Sequence, residues 1–477
     1  MNITHLNIGI LHSLIGKNDG VSIVIDQSVE AMVKYMGIPL GNIFFLAAHS
    51  SPRFNAETNE IFWHKNDIHC HIVENFCEPP APGLDHEIHE KALYAAALIE
   101  DFVERHNIDL LIAHNTSHPY NFITAVGLGY YLEKRRKQGY IWPKTMVWWH
   151  DSYFERERFS NPNPVIKKYL KYLPGTLIDG ILFINNDQPE LAKRYYGEYG
   201  LPRKSFFEHH TTVVPNTCDI NWDWQNRSWN SNELICPDQD AYNASFFKNI
   251  GLMEKLKIRN FELKDAAILL QHTRVVPRKK IETAIDFAFR LDKKFNGRKC
   301  VVILVSGHSG DEQVEYKKFL LKYHKEKCES QNSNNVLLIF GEHNILSHRD
   351  LIVDRKFYKF AEVPSIIASV GGIGTYFSEV EGYGNNLLEM ISGGLPAVIN
   401  KYPVYIEDIE PLGFNLPGID KCEISDESVE AAYKLLTDYN YRNRCLRHNM
   451  TVLAEKLNHN VLAKKFAPLI ENIFFKQ

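Results

Sequence analysis

Two glutamates, Glu381 and Glu389, close the ends of the stretch Glu381-Gly-Tyr-Gly-Asn-Asn-Leu-Leu-Glu389. Its glycines and asparagines form a turn, and Leu387-Leu388-Glu389-Met390-Ile391 continues it as a helix. The first N–H groups of a helix have no intrahelical acceptor and are a seat for phosphate. A carboxylate on each side of that seat suits hydroxyl groups flanking the phosphate. Taken alone, the stretch is better explained by one glutamate favoured by the helix dipole and a second pointing to water. The rest of the chain has to decide.

A second cluster lies in "LLQHTRVVPRKKIETAI" (269–285), where Arg274, Arg278, Lys279 and Lys280 crowd a loop between a strand end and a helix starting at 281. Cations beside a helix N-terminus oppose the dipole preference, so structure gives little reason to gather them there. A diphosphate gives one, because Arg grips phosphate oxygens in pairs and Lys adds a point charge. Cations on one side, and a helix N-terminus with two carboxylates on the other, would enclose a nucleotide diphosphate carrying hydroxyl-rich groups.

Two signals lie in the first half. "LHSLIGKNDGVSIVID" (11–26), with Gly16 and Gly20, is arranged like a phosphate-binding strand-to-helix turn but is neither GxGxxG nor a P-loop. Glycines at positive φ explain it equally well. In "VWWHDSYFERERF" (147–159), His150 directly follows an apolar strand. A histidine there is either a satisfied structural group or a donor to a substrate hydroxyl or a developing charge. The loop behind it, with Asp151, Glu155, Arg156, Glu157 and Arg158, is unusually polar for one leaving a core strand.

The elements that must hold these residues are read from periodicity. Apolar runs at 5–11, 42–48, 110–114, 145–150, 180–185 and 211–215 predict strands, with helices at 22–36, 89–106 and 121–137. After a polar, Trp- and Asn-rich stretch (219–243) the pattern restarts, with strands at 266–272, 299–307, 336–341, 372–377 and 395–400. Helices are predicted to start near 279, 311, 362 and 385, and 426–477 reads as all-helical. Continuous apolar strands alternating with helices indicate two successive doubly wound parallel sheets. Ligands then sit at the carboxyl ends of the strands, where all four signals fall.

The bulk numbers agree with such a protein. The 477 residues are 44% hydrophobic and 23% charged, the composition of a globular chain with a sizeable core. A net charge of −4 argues against a general nucleic-acid binder. The eight cysteines are scattered without a CxxC pair, which fits free thiols in a reducing compartment. "MNITHLNIGILHSLIG" lacks the features of a secretory signal, and no run approaches the roughly 18 apolar residues of a membrane span. A cytoplasmic protein without a transmembrane segment is expected.

With these residues in place, the chain resembles the retaining GT-B glycosyltransferases, family 4 in particular. The family's two glutamates separated by seven residues match Glu381 and Glu389, and its Arg-x4-Lys pair matches Arg274 and Lys279. "VVPNTCD" (213–219), Gly20 and His150 match its interdomain Pro-Asn, N-terminal glycine loop and N-domain histidine. The resemblance implies two Rossmann-like domains facing across a cleft: 1–216 for the acceptor and 217–455 for the donor. A helical segment, 456–477, would pack back on the first. It implies transfer of a hexose, with retention, from a UDP- or GDP-linked sugar to a polar hydroxyl acceptor. No metal and no other cofactor would be required. His150, Glu381, Arg274 and Lys279 would be catalytic. Gly20, Val21, Gly384, Asn385, Asn386, Leu387 and Glu389 would join Arg274, Lys279 and Glu381 in holding the donor, and Asn115, Asp151, Tyr153 and Arg156 would meet the acceptor.

There are departures. "FSEV" (377–380) replaces the usual Pro-Ser pair, Lys280 stands where glycine is usual, and "SVGGIGTYF" (369–377) looks like an insertion. A nucleotide-sugar epimerase and a silent binding protein of the same fold are the alternatives. Other signals are set aside. Asp238-Gln-Asp240 resembles a DxD metal motif but lies in the polar stretch. His64, His69, Cys70, His71 and Cys77 have zinc-ligand chemistry, but on an extended strand Cys70 would point away from His69 and His71. The histidines of "DHEIHEK" (85–91) fit no HExxH order. The basic "EKRRKQGYIWPK" (133–144) reads as a solvated helix end, so no peripheral membrane contact is expected.

Overall fold

The computed structural model describes residues 3–17, 19–220, 241–307, 314–345 and 358–475. The chain divides into two compact units, Met1–Thr217 with His459–Gln477, and Cys218–Asn458.

The first unit is built on a seven-stranded parallel sheet. Its strands are β1 (Ile8–Leu11), β2 (Ile43–Ala47), β3 (Ala56–Thr58), β4 (Leu110–His114), β5 (Lys144–Trp149), β6 (Gly180–Phe183) and β7 (Thr211–Val213), in the order β3-β2-β1-β4-β5-β6-β7. Side chains alternate across the sheet. Leu110 and Ile112 of β4 join one core layer, Leu111 and Ala113 the other. The strands are therefore apolar throughout rather than alternating in sequence. The last helix, His459–Phe475, completes one layer: its Leu462, Phe466, Leu469 and Ile473 pack with Ile8, Ile10 and Trp148.

The second unit repeats the plan with β8 (Ala266–Gln271), β9 (Cys300–Val305), β10 (Val336–Phe340), β11 (Ile373–Tyr376), β12 (Ala397–Asn400) and β13 (Gly418–Ile419), in the order β10-β9-β8-β11-β12-β13. Ile268 and Leu270 face one layer, Ala267 and Leu269 the other. In each sheet the order reverses beside the first strand, between β1 and β4 and between β8 and β11, where open α/β sheets leave a crevice at their carboxyl ends.

Two local readings are corrected. The segment holding His69, Cys70 and His71 is a helix, Asp67–Glu74, not a strand, because Asn66 caps it by accepting from the His69 N–H. The apparent insertion at 369–377 is the turn from the helix Val363–Ser369 into β11. That turn is held by buried Arg442, which donates to the carbonyls of Gly371 and Gly372 at 3.1 and 2.8 Å.

Candidate active site

The second unit gathers its predicted residues at the ends of β8 and β11. Past β8 the chain turns through exposed Arg274 into a 3-10 turn, Pro277–Lys279, which buries Lys279. A buried amide sets that turn: Gln271 Nε2 donates to the Lys279 carbonyl at 3.2 Å, while Gln271 Oε1 accepts from Thr375 Oγ1 at 2.8 Å. Past β11 the chain brings Glu381 back onto it. Lys279 Nζ donates to Glu381 Oε1, Arg278 Nη1 donates to Oε2 at 3.0 Å, and the Tyr376 hydroxyl donates to Oε1 at 2.8 Å. Arg278 also donates to the Val380 carbonyl at 2.8 Å, and its own carbonyl accepts from the Glu379 N–H at 2.9 Å. The two distant motifs are one network.

Burial works against both charges of the central pair, yet both persist. Burial would raise the Glu381 carboxyl, but Lys279 and Arg278 bring it down to about 2. Burial lowers Lys279 to about 8, with Glu381 opposing the shift and Arg278 adding to it. At neutral pH the pair is ionised.

Gly384 opens the helix Asn385–Ser392 at φ 128°. A Cβ there would meet the Tyr402 hydroxyl at 2.3 Å, and that hydroxyl donates to the Tyr383 carbonyl at 2.6 Å. Only glycine lets the chain enter this helix so close to Tyr402. Within the helix Leu387 is wholly buried, Asn386 Nδ2 donates to the His272 carbonyl at 2.8 Å, and Glu389 lies 3.4 Å from His272 Nε2.

The first unit assembles a different cluster. His12, His114 and His150 stand at the ends of β1, β4 and β5. His114 Nδ1 lies 3.1 Å from His150 Nε2, and His12 Nδ1 donates to the His114 carbonyl at 3.3 Å. Burial depresses all three, so they are neutral. Asp151 accepts from Arg156 Nε at 2.8 Å and faces His118 at 3.9 Å. Glu155 is pushed up to about 7 by burial and by Asp151, while accepting from Trp149 Nε1 at 3.1 Å. Asn115 turns the chain at φ 58°, and its carbonyl accepts from Asn121 Nδ2 at 3.0 Å. The Tyr153 ring is buried against Phe76 and Phe154, which makes it part of the core. In the glycine loop it is Gly16 that takes positive φ, 69°; Gly20 is the first residue of the helix Gly20–Lys34. That helix is capped by Asp19, whose Oδ1 accepts from the N–H groups of Val21 and Ser22.

Other readings also find places. His69 bonds Asn66 and His71 bonds Glu87, and among the described residues no group of three or more His, Cys, Asp or Glu is disposed to hold a metal ion. Lys134, Arg135 and Arg136 pair with Glu100, Glu104 and Asp179. Asp238 and Asp240 lie outside the described residues. Among the described residues no helix is long and apolar enough to cross a membrane. The sequence pattern points to Arg278 only as one of four clustered cations, and to Tyr376, His272, His114 and His12 not at all. The histidines carry the same signal as His150, a polar residue ending an apolar run ("GILH", "LLIAH", "LLQH").

No protein-family model matches the chain. A mannosylglucosylglycerate synthase of Petrotoga mobilis is 26% identical over 441 residues, spanning 87% of this chain and 86% of that protein. Among solved structures, HepE of Anabaena, in complex with UDP and glucose, matches with a TM-score of 0.59 at 12% identity, over 98% of this chain and 100% of that one. A sucrose-phosphate synthase of Thermosynechococcus elongatus matches with a TM-score of 0.56 at 11% identity, over 98% of this chain and 99% of that one. The solved structures carry the fold, and the relative carries the class of chemistry. The chain is a glycosyltransferase of GT-B fold, similar to family 4.

Proposed function

We propose that the chain transfers a hexose, with retention of configuration, from a UDP- or GDP-linked sugar to a hydroxyl of a small polar acceptor. The observation that carries this reading is the buried Lys279–Glu381–Arg278 network at the end of β11, joined to the helix N-terminus at Gly384. Arg274, Lys279 and that N-terminus suit the diphosphate, and Glu389 suits the ribose. Glu381 is held ionised, so it can only accept hydrogen bonds, which is what sugar hydroxyls offer. In the first unit neutral His150 presents a hydrogen-bonding ring to a sugar hydroxyl, and Asp151 and Arg156 are polar partners for an acceptor.

Bond breaking leaves an oxocarbenium-like carbon, and the negative charge passes to the departing diphosphate. Fixed cations stabilise that charge without reorganising, which is the largest lever available to such a site. The departing phosphate oxygen takes the acceptor's proton on the face it leaves, so configuration is kept and no metal is needed. The Petrotoga relative is named for a product containing mannosyl, glucosyl and glycerate groups. A mannosyl donor and a glucosylated glycerate acceptor are therefore the first pair to assay.

The test begins with melting curves of the wild type and Glu389→Ala in the presence of UDP, GDP, ADP and their glucose and mannose conjugates. A ligand that binds only the folded state raises Tm by mass action. One nucleotide should raise it in the wild type and do so less in the variant. No shift with any of them would sink the nucleotide-sugar reading. With the donor base known, release of free nucleoside diphosphate separates a transferase from an epimerase, and the anomeric configuration of the product, read by NMR, tests retention.

A further inference from the structure

His272 is the first residue past β8 and is wholly buried. Its Nδ1 lies 2.9 Å from Ser306 Oγ, its Nε2 lies 3.4 Å from Glu389 Oε2, and its carbonyl accepts from Asn386 Nδ2 at 2.8 Å. Its ring stacks on Phe360 with centroids 3.9 Å apart and planes 17° from parallel. A carboxylate can only accept, so the neutral ring favours one proton arrangement: Ser306 O–H donates to Nδ1, and Nε2–H faces Glu389 across 3.4 Å, a polar contact longer than a hydrogen bond. The order Ser–His–Glu is that of a hydrolytic triad. Ser306 is 0% exposed and follows β9, so no substrate reaches its hydroxyl. The chain of bonds therefore runs the other way, from the sheet to the carboxylate.

We propose that His272 is a positioning residue for the donor nucleotide, holding the Glu389 carboxylate and the Asn386 side chain in the orientation that receives the nucleoside. The inference rests on the nucleotide-sugar reading above. Phe360 fixes the ring plane and Ser306 favours its tautomer, so the helix carrying Glu389 meets β8 and β9 through the His272 ring and the Asn386 side chain. A site of this kind binds through the precise placement of a few polar groups on rigid elements, which outer partners supply.

The test measures the Kd of UDP, GDP and ADP by calorimetry for the wild type, His272→Phe, His272→Gln, Glu389→Ala and the His272→Phe/Glu389→Ala pair. His272→Phe keeps a ring to stack on Phe360 and removes both nitrogens; His272→Gln restores one donor. The favoured nucleotide should bind about tenfold more weakly to His272→Phe, with kcat at saturating donor within about twofold of wild type. His272→Gln should recover most of the affinity, and adding His272→Phe to Glu389→Ala should weaken binding no further. Unchanged affinity in His272→Phe, additive losses in the double variant, or a fall in kcat without a change in Kd would overturn the positioning role. If His272→Phe does not fold, His272→Leu takes its place: weaker nucleotide binding there, with kcat kept and affinity recovered in His272→Gln, supports the role, and unchanged affinity or a loss of kcat alone overturns it. Failure of Glu389→Ala to weaken any nucleotide would instead overturn the reading beneath it.

Discussion

The two units end their central strands in polar side chains, and they keep those side chains in opposite states. The second unit buries charge: Lys279 and Glu381 are both ionised, each held against the cost of burial by the other, and Glu381 by Arg278 as well. The first unit buries histidines without carboxylate partners of comparable strength, and burial strips their protons. Buried ions need paired, hydrogen-bonded neighbours, whereas a buried imidazole simply stays neutral. The difference matches two tasks. In the proposed function, a departing diphosphate needs fixed cations, and an uncharged sugar hydroxyl needs a neutral donor or acceptor.

The largest consequence is acid stability, and it differs between the units. His12, His69, His114, His118 and His150 are all buried with pKa values depressed below 6.5. For a depressed folded pKa the unfolded chain takes up the proton first, so stability is complete above 6.5 and falls as pH drops below it. Each such proton contributes about 1.4 kcal/mol per pH unit, and even two or three acting together outweigh most other terms. The Glu381 contribution is in place above 4.5 and is lost only as pH falls from there through about 2. Hydrogen exchange followed by mass spectrometry at stepped pH should show peptides of residues 3–217 losing protection between about pH 6.5 and 4, before those of 241–458. Simultaneous loss in both would refute the contrast.

Removing one member of the ion pair is the next largest perturbation. Glu381→Ala strands the Lys279 ammonium, and breaking a buried pair in this way costs about 3–5 kcal/mol. Replacing both partners, as Lys279→Met/Glu381→Leu, should return most of that stability in denaturant melts. If Lys279 meets the leaving group as proposed, transfer should stay depressed by about a thousandfold in kcat/KM, because that charge is gone. A double variant as unstable as the single one would mean that the pair matters for packing rather than for charge.

Much of this was legible before the fold. The strands announced themselves as unbroken apolar runs because both faces of a parallel sheet are covered, and the helix at Asn385 was marked by its glycine turn. Legible too was the concentration of cations after β8. What stayed hidden is pairing across about a hundred residues of sequence. Glu381 and Lys279 were read as two separate ligands for substrate, yet they hold each other, and Arg278 completes the pair. No periodicity encodes a contact between two loops. The glycine loop is built by a local device that its glycines do not announce. Asp19 caps the helix that Gly20 opens, its side chain accepting from the N–H groups of Val21 and Ser22. His272 and His114 escaped because a buried histidine at a strand end has the same signature whether it packs or positions.

A smaller effect separates the two regions by activity rather than stability. With Lys279 lowered to about 8, its positive charge is lost as pH rises through that value. Donor-limited kcat/KM should then fall toward a tenfold drop per pH unit on the alkaline side. The neutral histidines of the first unit predict no break between pH 6.5 and 7.5, since burial has already moved them below that range. Lys279→Arg should move the alkaline limb upward, because a guanidinium keeps its proton across the working range. A limb that stays near 8 in that variant belongs to some other group.

The smallest effect concerns Lys280, which stands where the resembling family has glycine. Its backbone is left-handed, φ 47° and ψ 51°, so the chain keeps the conformation that glycine adopts freely while carrying a side chain that opposes it. In return Lys280 Nζ pairs with Glu379 at 3.1 Å, a bridge on a half-exposed surface worth about 0–1 kcal/mol. Relief of a left-handed residue is worth about 1–2 kcal/mol, though glycine gives part of it back through the greater freedom of the unfolded chain. Lys280→Gly should therefore raise stability by about 0.5 kcal/mol or leave it level, and Lys280→Ala should lower it, since alanine keeps the strain and loses the bridge. Denaturant melts of the two variants side by side measure this. If Lys280→Gly is less stable than the wild type, the Glu379 bridge outweighs the backbone, and the departure from glycine is an electrostatic gain rather than a tolerated strain.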